Sequence, residues 1–509
     1  MNANLFDRLE RSVDDLTKAA ITTPAEETVS YAELIARSGH LANVLTARGV
    51  KPGDRVAVQV EKSIPALILY LATVRAGAVY LPLNTAYTLS ELEYFIGDAE
   101  PSLVVCDPGK REGIEQLAAK VGAAVESLDA KGQGTLIEAA AKAPDSFETV
   151  QRAGNDLAAI LYTSGTTGRS KGAMLTHDNL VSNALTLKEV WRFTADDVLI
   201  HALPIYHTHG LFVASNVTLF SGASMIFLSK FDADDILGLM SRATALMGVP
   251  TFYVRLLQHP GLSRDVTSGI RLFVSGSAPL LAETHREWSA RTGHAILERY
   301  GMTETNMNTS NPYDEDRVPG TVGLPLPGVS VRITDPDTGE ELATNEIGMI
   351  EVKGPNVFKG YWRMPEKTAA DFRPDGYFIT GDLGKIDERG YVHILGRGKD
   401  LVITGGFNVY PKEIEEEIDA LPGVFESAVI GVPHKDFGEG VTAVVVRSKG
   451  ADIDEKSIFT ALTGRLAKFK LPKQIVFIEE LPRNTMGKVQ KNMLREKFRD
   501  LYAEPAGAS

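Results

Sequence analysis

The chain has 509 residues, of which 44% are hydrophobic and 23% charged, and this composition is typical of a globular protein with a large buried core. Its 66 acidic and 53 basic side chains give a formal net charge of −13, which argues against nucleic acid or an anionic membrane as the main partner. The single cysteine, Cys106, excludes a disulfide framework or a cysteine-based zinc site within one chain, and we expect it to lie in the core.

The N-terminal sequence acquires acidic and basic residues early and lacks the apolar core of a secretory signal. The most apolar stretch, 64–83, is interrupted by Pro65, Arg75 and Pro82. It therefore predicts a helix followed by a buried strand, and not a membrane span. We expect a cytoplasmic protein with no membrane partner.

Up to about residue 300, short apolar segments alternate with amphipathic ones. Continuous apolar strands that alternate with helices predict parallel sheets covered by helices on both faces. The predicted strands are 55–60, 78–83, 103–107, 157–163, 198–204, 224–231, 245–250 and 270–277. The predicted helices are 176–190, 232–242, 283–291 and one that starts at Ile64 with Ser63 as its cap.

The pattern changes twice in the second half of the chain. After residue 320, apolar and polar residues alternate between Asp/Gly turns, which predicts an antiparallel hairpin region or a small barrel. From Asp400, helices at 411–421 and 453–466 alternate with strands at 425–432, 441–446 and 474–478. We therefore expect an α/β and α+β fold with a large N-terminal domain (1–396), a hinge (397–399) and a small mobile α+β C-terminal domain (400–509).

The strongest local motif is TSGTTGRSKG at 163–172, directly after a predicted buried strand. Its glycines allow close backbone approach, while its hydroxyls and Lys171 add donors and charge for phosphate oxygens. The spacing is not that of a Walker A loop, because Lys171 is followed by Gly172 and lies too far from Gly165. The motif predicts a phosphate-binding loop of another class.

This loop resembles the phosphate loop of the adenylate-forming superfamily, which comprises acyl- and aryl-CoA synthetases, luciferases and peptide-synthetase adenylation domains. Six further motifs resemble that superfamily in the same order, so the resemblance covers essentially the whole chain. One departure is Ser170, which stands where proline is common, and we expect a slightly looser loop. The six motifs are HALPIYHTHGL (201–211), VSGSAPL (274–280), ERYGMTET (298–305), GYFITGDLG (376–384), GRGKDLVITGGFNVYPKEIE (396–415) and PRNTMGKVQK (482–491).

The resemblance implies roles for individual residues. Tyr300 is expected to stack on adenine, Asp382 and Arg397 to contact the ribose, and Glu304 with Thr163 to hold Mg²⁺. The resemblance implies catalytic roles for Lys488, Glu304 and His207. His207 is expected to act as a gate beside the acid. Lys399 is expected to be the hinge, and Gly405 and Gly406 to face a tunnel for coenzyme A. The implied ATP-binding residues are Thr163, Ser164, Gly165, Thr166, Thr167, Gly168, Lys171, Ser277, Ala278, Tyr300, Gly301, Met302, Thr303, Asp382 and Arg397.

Lys488 lies in a glycine-flanked loop and would ordinarily be a solvated surface lysine. Its setting resembles that of the superfamily's catalytic lysine, which neutralises charge at the α-phosphate and the acid carboxylate. In some relatives this lysine is reversibly acetylated. A lysine acetyltransferase and a deacetylase are therefore hypothetical partners, because acetylation would remove the charge.

Arg299 is the informative deviation, because many relatives carry a small or uncharged residue before YGxTE. A buried guanidinium without a partner is costly, so the acid pocket is predicted to receive a second negative charge, as from a dicarboxylic acid. The alternative is that Arg299 points outward to a surface glutamate. Segments 203–219 and 298–313 resemble malonyl-CoA synthetases most closely. Candidate acid-pocket residues are Arg299, His207, Thr208, Met307 and Val249, and the bulk of the last three suggests malonate or methylmalonate.

The predicted reaction joins malonate to coenzyme A with ATP, through a malonyl-adenylate, and releases AMP and diphosphate. The cofactor is Mg²⁺, with ATP and coenzyme A as co-substrates. Three alternatives stay open: a ligase for another short (di)carboxylic acid, an enzyme that loads a carrier protein, and a nucleotide-binding regulator that lost its chemistry. Nucleic-acid binding is opposed by the net charge.

Overall fold

The computed structural model describes residues 2–163, 170–405, 407–484 and 487–503. The strands are β1 (Ala19–Thr22), β2 (Thr28–Ser30), β3 (Arg55–Gln59), β4 (Val79–Pro82), β5 (Leu103–Cys106), β6 (Ala124–Ser127), β7 (Leu157–Thr163), β8 (Lys171–Thr176), β9 (Val198–His201), β10 (Ser224–Phe227), β11 (Ala245–Gly248), β12 (Leu272–Ser275), β13 (Leu297–Met302), β14 (Asn306–Ser310), β15 (Leu324–Pro325), β16 (Ser330–Thr334), β17 (Gly348–Lys353), β18 (Phe378–Ile386), β19 (Val392–Arg397), β20 (Val402–Thr404), β21 (Phe407–Val409), β22 (Val424–His434), β23 (Gly438–Arg447) and β24 (Gln474–Ile478).

The α-helices are α1 (Leu5–Glu10), α2 (Tyr31–Ala47), α3 (Ile64–Arg75), α4 (Leu89–Ala99), α5 (Arg111–Ala119), α6 (Thr135–Ala140), α7 (His177–Val190), α8 (Asn216–Phe220), α9 (Ala233–Leu239), α10 (Pro250–Gln258), α11 (Arg264–Thr267), α12 (Ala282–Thr292), α13 (Pro365–Ala370), α14 (Pro411–Asp419), α15 (Glu455–Leu462) and α16 (Lys491–Lys497). A π-helix covers His209–Ser215, and short 3₁₀ turns include Gly398–Asp400.

Two mainly parallel sheets form the centre of the large domain. One has the strand order β15-β14-β13-β12-β11-β9-β10-β1-β2 and the other the order β6-β5-β3-β4-β7-β8. Their inner strands are apolar and fully buried, as the sequence predicted. The antiparallel pairs involve strands at or next to the sheet edges, namely β2, β8, β14 and β15.

Local sequence signals explain where the helices begin. The Ser63 hydroxyl accepts a hydrogen bond from the backbone of Ala66 and caps α3, as predicted. Thr176 forms a capping box with Asn179 at the start of α7. The apolar stretch 64–83 is the buried helix α3 followed by β4, and Cys106 is buried at the end of β5, so both predictions are confirmed. In the part of the chain that the structure describes, no helix is long and apolar enough to span a membrane.

The region after residue 320 forms an antiparallel sheet with the order β16-β17-β18-β19. The hairpin prediction is therefore confirmed. The alternative of a small barrel is corrected, because β16 and β19 are opposite edges of this open sheet and the described pairings do not join them. Alternating side chains fit either arrangement, so the sequence could not separate the two.

The C-terminal residues form an α+β unit with its own core. Its sheet has the order β21-β20-β23-β22, and β24 pairs in parallel with β23. Helices α14 and α15 cover one face through Ile414, Ile418, Ile458 and Leu462, which are fully buried. Leu494 of α16 packs on the opposite face. The predicted small α+β domain is confirmed as a fold.

Candidate functional site

The two ends of the predicted phosphate loop belong to β7 and β8. Thr163 at the end of β7 pairs with Lys171 at the start of β8, so the two described ends of the motif lie side by side at the sheet edge. The Tyr94 hydroxyl donates to the Ser170 carbonyl over 2.7 Å, directly before β8. The predicted ATP-binding residues Ser164, Gly165, Thr166, Thr167 and Gly168 lie outside the described residues.

Lys171 and Glu304 come together from two different sheets. The Tyr361 hydroxyl donates to Glu304 Oε1 over 3.1 Å, and Lys171 Nζ lies 3.9 Å from the centre of the Tyr361 ring. Lys171 Nζ is also 3.9 Å from Asp371 Oδ2. Burial raises the pKa of Glu304 and lowers that of Lys171, while the two groups oppose these shifts through their mutual attraction.

Glu304 offers a buried carboxylate at the turn of the β13–β14 hairpin, beside Thr303. No group of three or more His, Cys, Asp or Glu side chains suited to a metal occurs within the ranges that the structure describes. A cation here would therefore depend on nucleotide oxygens for most of its ligands. Mg²⁺ fits this situation, because it commonly takes one or two carboxylates together with substrate phosphates and water.

Tyr300, Asp382 and Arg397 form one hydrogen-bonded group. The Tyr300 hydroxyl donates to Asp382 Oδ2, and Arg397 Nε donates to Asp382 Oδ1 over 2.7 Å. Asp382 and Arg397 are paired across β18 and β19, so the antiparallel sheet fixes their distance. The Asp382 charge raises the pKa of Arg397. The structure thus brings together the residues that the resemblance assigned to adenine and ribose.

The neighbouring residues of β13 define the space around Tyr300. A Cβ atom at Gly301 would lie 1.9 Å from the Asn306 carbonyl oxygen and 2.4 Å from Met307 Cε, so only glycine fits there. Met302 Sδ lies 4.0 Å from the Tyr300 hydroxyl. Met307 is buried on the hairpin partner β14, and Val249 is buried directly before α10.

Arg299 points inward and has no acidic partner among the described residues. Its side chain is 3% exposed, and its Nε and Nη2 atoms are buried without any hydrogen-bond acceptor. Burial lowers its pKa to about 9, which leaves the guanidinium charged at neutral pH. The alternative of an outward contact with a surface glutamate is therefore wrong. A buried, uncompensated guanidinium is the signature of a site for an anion.

Gly276 provides the room for this guanidinium. A Cβ atom at Gly276 would lie 2.4 Å from Arg299 Cζ and 2.6 Å from its Nε. The next residue, Ser277, has φ of 72°, a left-handed conformation that is unusual for a side chain other than glycine. Ala278 follows it and is half-buried. This turn after β12 therefore places backbone directly against Arg299.

The start of the π-helix, together with the residues directly before it, brings two histidines to Arg299. The backbone N–H of His209 donates to His207 Nδ1 over 3.3 Å, and Ser277 Oγ lies 3.2 Å from His209 Nδ1. Burial, Lys488 and Arg299 lower the pKa of His207 to about 3, so it is neutral. Burial and Arg299 also lower the pKa of His209. Further polar atoms here are buried without a partner, namely Thr208 Oγ1, His209 Nε2 and Ser275 Oγ.

Four residues of the site were not predicted from the sequence. They are His209, Ser275 and Gly276 in the acid pocket, and Tyr361 beside Glu304. His209 lies next to His207 in YHTHG, but its contact with Ser277 depends on a turn sixty-eight residues further along the chain. Gly276 stands in the motif VSGSAPL, and that sequence does not indicate that Arg299 packs against it. Tyr361 lies outside the quoted motifs. These residues join the site only through tertiary contacts.

Lys488 belongs to the C-terminal unit, and its amine lies near Arg397, Asp382 and Glu304 of the large domain. The residue as a whole is exposed, while its amine end lies among these charged groups. Burial of the amine and the Arg397 charge lower its pKa to about 8, while Asp382 and Glu304 act in the opposite direction. A Cβ atom at Gly487 would lie 3.2 Å from Thr251 Cγ2 of α10, so the lysine loop touches the large domain.

The predicted hinge and tunnel residues lie on the connection between the two units. Lys399 stands in the 3₁₀ turn Gly398–Asp400 directly after β19. Gly405 has φ of 58° and donates its N–H to the Phe437 carbonyl over 2.8 Å. Gly406 is outside the described residues. No described contact brings Gly405 to the cleft that contains Lys488.

Two family models match this chain, one in the large N-terminal part and one in the C-terminal part. A family described as AMP-binding enzyme matches residues 9–362, and one described as AMP-binding enzyme C-terminal domain matches residues 413–488. ATP-bound MatB from Rhodopseudomonas palustris is 74% identical, covers 99% of this chain and 100% of its own, and superposes with a TM-score of 0.98. The apo form of MatB superposes with a TM-score of 0.87. The described conformation is therefore closer to the ATP-bound form.

Sequence relatives include enzymes with different acids in their names. A mitochondrial malonate–CoA ligase from Mus musculus is 37% identical over 519 residues, which cover 94% of this chain and 87% of the relative. A feruloyl-CoA synthase from Amycolatopsis sp is also 37% identical, over 475 residues that cover 92% and 94%. This chain belongs to the AMP-binding enzyme family and carries both the large and the C-terminal domain of that family.

Proposed function

We propose that this chain is an AMP-forming acyl-CoA ligase that joins malonate, and also methylmalonate, to coenzyme A. The observation that carries the acid assignment is Arg299, whose Nε and Nη2 atoms are buried without an acceptor. Two relatives that are each 37% identical are named for acids as different as malonate and ferulate, so similarity at that level does not select the acid. A dicarboxylate satisfies the pocket, because one carboxylate reacts while the other pairs with Arg299.

In the first half-reaction, malonate attacks the α-phosphate of ATP, and diphosphate leaves. The chain's contribution is positioning and charge neutralisation, with no protein nucleophile. Tyr300, Gly301, Met302 and Thr303 border the adenine, and Asp382 with Arg397 meets the ribose. Lys171 lies on the phosphate side, and Lys488 neutralises charge where the acid and α-phosphate meet. The remaining ATP-binding assignments, Ser277, Ala278 and the residues of the phosphate loop, follow the resemblance of their motifs.

Glu304 and Thr163 would hold Mg²⁺ together with nucleotide oxygens. The metal supplies charge neutralisation for the departing diphosphate when it is bound. Glu304 is held for this role by its burial and by the hydrogen bond that the Tyr361 hydroxyl donates to Oε1.

In the acid pocket, neutral His207 borders the reacting carboxylate and the path of the thiol. His209 Nε2 and Thr208 Oγ1 add donors for the distal carboxylate beside Arg299. Met307 and Val249 limit the length of the acid because both are buried large side chains. A monocarboxylate would leave the guanidinium unpaired, which predicts discrimination of about 10²–10⁴-fold.

In the second half-reaction, coenzyme A replaces AMP on the acyl group. We infer that the large domain (1–396) and the C-terminal domain (400–509) reorient about Lys399 in the segment 397–399. This motion withdraws Lys488 and presents Gly405 and Gly406 to the thiol path. Acetylation of Lys488 stays a prediction, because no contact among the described residues tests it.

The deciding experiment measures AMP release with ATP, Mg²⁺ and coenzyme A across malonate, methylmalonate, succinate, oxalate and acetate. We expect malonate and methylmalonate to be preferred and Arg299→Ala to lose about 10²-fold or more in kcat/KM for malonate. Arg299→Lys keeps the charge but loses the fork, so it recovers only part of the activity.

Acetate serves as the matched control, because it does not need Arg299. Equal wild-type activity on acetate and malonate, or an unaffected Arg299→Ala variant, would discard the dicarboxylate assignment. Malonate-dependent exchange of diphosphate into ATP without coenzyme A-dependent AMP release would instead favour loading of a carrier protein. A chain with neither diphosphate exchange nor AMP release would favour a nucleotide-binding regulator.

A further inference from the structure

The segment that carries Lys488 is tied to the small domain at both of its ends. Arg483 Nη2 forms an ion pair with Glu426 of β22. Lys491 Nζ lies 2.6 Å from Glu415 Oε1 of α14. Lys488 therefore stands between two anchors that belong to different elements of the same domain.

The turn between these anchors is closed by backbone contacts around Lys488. The N–H of Lys488 donates to Asn484 Oδ1 over 3.0 Å, and the N–H of Asn484 donates to the Lys488 carbonyl over 3.0 Å. Gly487 adds a third bond, from its N–H to the Asn484 carbonyl over 2.9 Å. The backbone of Lys488 is thus fixed relative to its immediate neighbours.

Arg483 connects this turn to the β-sheet. Its Nη1 atom donates to the Gly487 carbonyl over 2.5 Å, in the peptide bond that leads directly into Lys488. Its Nη2 atom reaches Glu426 at the same time. A guanidinium can make both contacts because its donors lie in one rigid plane, whereas a lysine offers only a single point charge.

The ion pair between Arg483 and Glu426 is more buried than an ordinary surface ion pair. The Glu426 side chain is 16% exposed, and burial raises its pKa while Arg483 opposes that shift. By contrast, Arg465 Nη1 lies 3.2 Å from Glu417 Oε2 of α14, and the two side chains are 54% and 38% exposed. Exposed pairs of that kind contribute little to positioning or stability.

Small displacements of this turn matter because it meets the large domain closely. Gly487 has φ of 73° and lies against Thr251 of α10. Charge stabilisation in an active site falls steeply when the charged group is displaced by about 1 Å. We propose that Arg483 is a positioning residue for the adenylation step, which acts by fixing Lys488, and that Lys491 fixes the other end of the same turn.

This inference rests on the proposed function, and its test separates the two half-reactions. Malonate-dependent exchange of diphosphate into ATP reports adenylation, and thioester formation from preformed malonyl adenylate and coenzyme A reports the second half. We expect Arg483→Gln to lower kcat of adenylation by about 10–100-fold, with KM values within about threefold. Thioester formation should stay unchanged, because Lys488 is withdrawn in that half.

Arg465→Gln is the matched control, since it removes an exposed arginine ion pair from the same domain, and no contact among the described residues joins Arg465 to Arg483 or Lys488. It should leave both half-reactions unchanged. In a Lys488→Ala background, Arg483→Gln should cause no further loss, because a residue that acts only through Lys488 has nothing left to position.

Three outcomes would overturn the inference. They are a full additional loss in the Lys488→Ala background, an equal loss in both half-reactions, or an Arg483→Gln variant with wild-type adenylation. If Arg483→Gln lowers the melting temperature, Arg483→Lys provides the second variant, and it should retain the fold but recover adenylation only in part. A wild-type chain without malonate-dependent exchange would contradict the proposed function instead.

Discussion

At the scale of single residues, the acid pocket is defined by two neighbours that are far apart in the chain. Arg299 supplies the charge, and Gly276 supplies the space in which the guanidinium lies. Neither residue would be informative alone, since an arginine at this position could point to solvent and a glycine after a strand is common. Their contact is what makes the pocket specific for an anion.

Gly276→Ala should therefore weaken malonate recognition, although the substitution removes no charged group. The new Cβ would lie 2.4 Å from Arg299 Cζ, so the guanidinium would have to move. We expect KM for malonate to rise about tenfold or more, with KM for ATP unchanged. Gly238→Ala is the control, because nothing lies within 4 Å of a Cβ at that position in α9. Steady-state kinetics for both substrates would check this, and an unchanged KM for malonate would contradict it.

At the scale of elements, two hairpins deliver the groups of the phosphate side. The β7–β8 hairpin brings Lys171 back from the edge of one sheet, and the β13–β14 hairpin presents Glu304 from the edge of the other. Tyr361 contacts both side chains and sets their separation. The site thus lies where the edges of the two sheets meet, and each hairpin contributes one charge.

Glu304→Gln should raise the Mg²⁺ concentration required for half-maximal adenylation by about tenfold or more, because the amide is neutral and a weaker ligand. Burial raises the pKa of Glu304, so protons compete with the metal. The Mg²⁺ requirement of the wild type should therefore increase as the pH falls. Magnesium titrations of the diphosphate exchange at several pH values would measure both effects. Glu283→Gln, on an exposed position of α12, should leave the requirement unchanged.

At the scale of the whole molecule, the C-terminal domain completes the site. Lys412 Nζ of α14 donates to the Ile394 carbonyl of β19 over 3.1 Å, and the turn at Gly487 meets Thr251. These contacts place Lys488 near Arg397, Asp382 and Glu304 of the large domain. The catalytic charge therefore depends on how the two domains are arranged.

This arrangement predicts a pH dependence with a definite sign. The pKa of Lys488 is lowered to about 8, and the protonated form carries the useful charge. The kcat/KM for adenylation should therefore be high below pH 8 and fall as the pH rises through about 8. Lys488→Arg stays charged, so the decline near pH 8 should disappear even though the rate is lower. A profile in which Lys488→Arg keeps the decline at the same pH would contradict this assignment.

The sequence by itself determined the kinds of element and the chemistry. Apolar runs such as 157–163 predicted β7 with its bounds, and the motifs identified the family, because these signals are local in the chain. The nucleotide site and the role of Lys488 stay predictions from the same motifs. The tertiary structure decided which way Arg299 points and that the sheet β16–β19 is open. It also brought His209, Gly276 and Tyr361 into the site and Arg483 against the turn that carries Lys488. These features depend on contacts between residues that are distant in sequence, and a pattern of letters does not specify which side chains pack together in the folded chain.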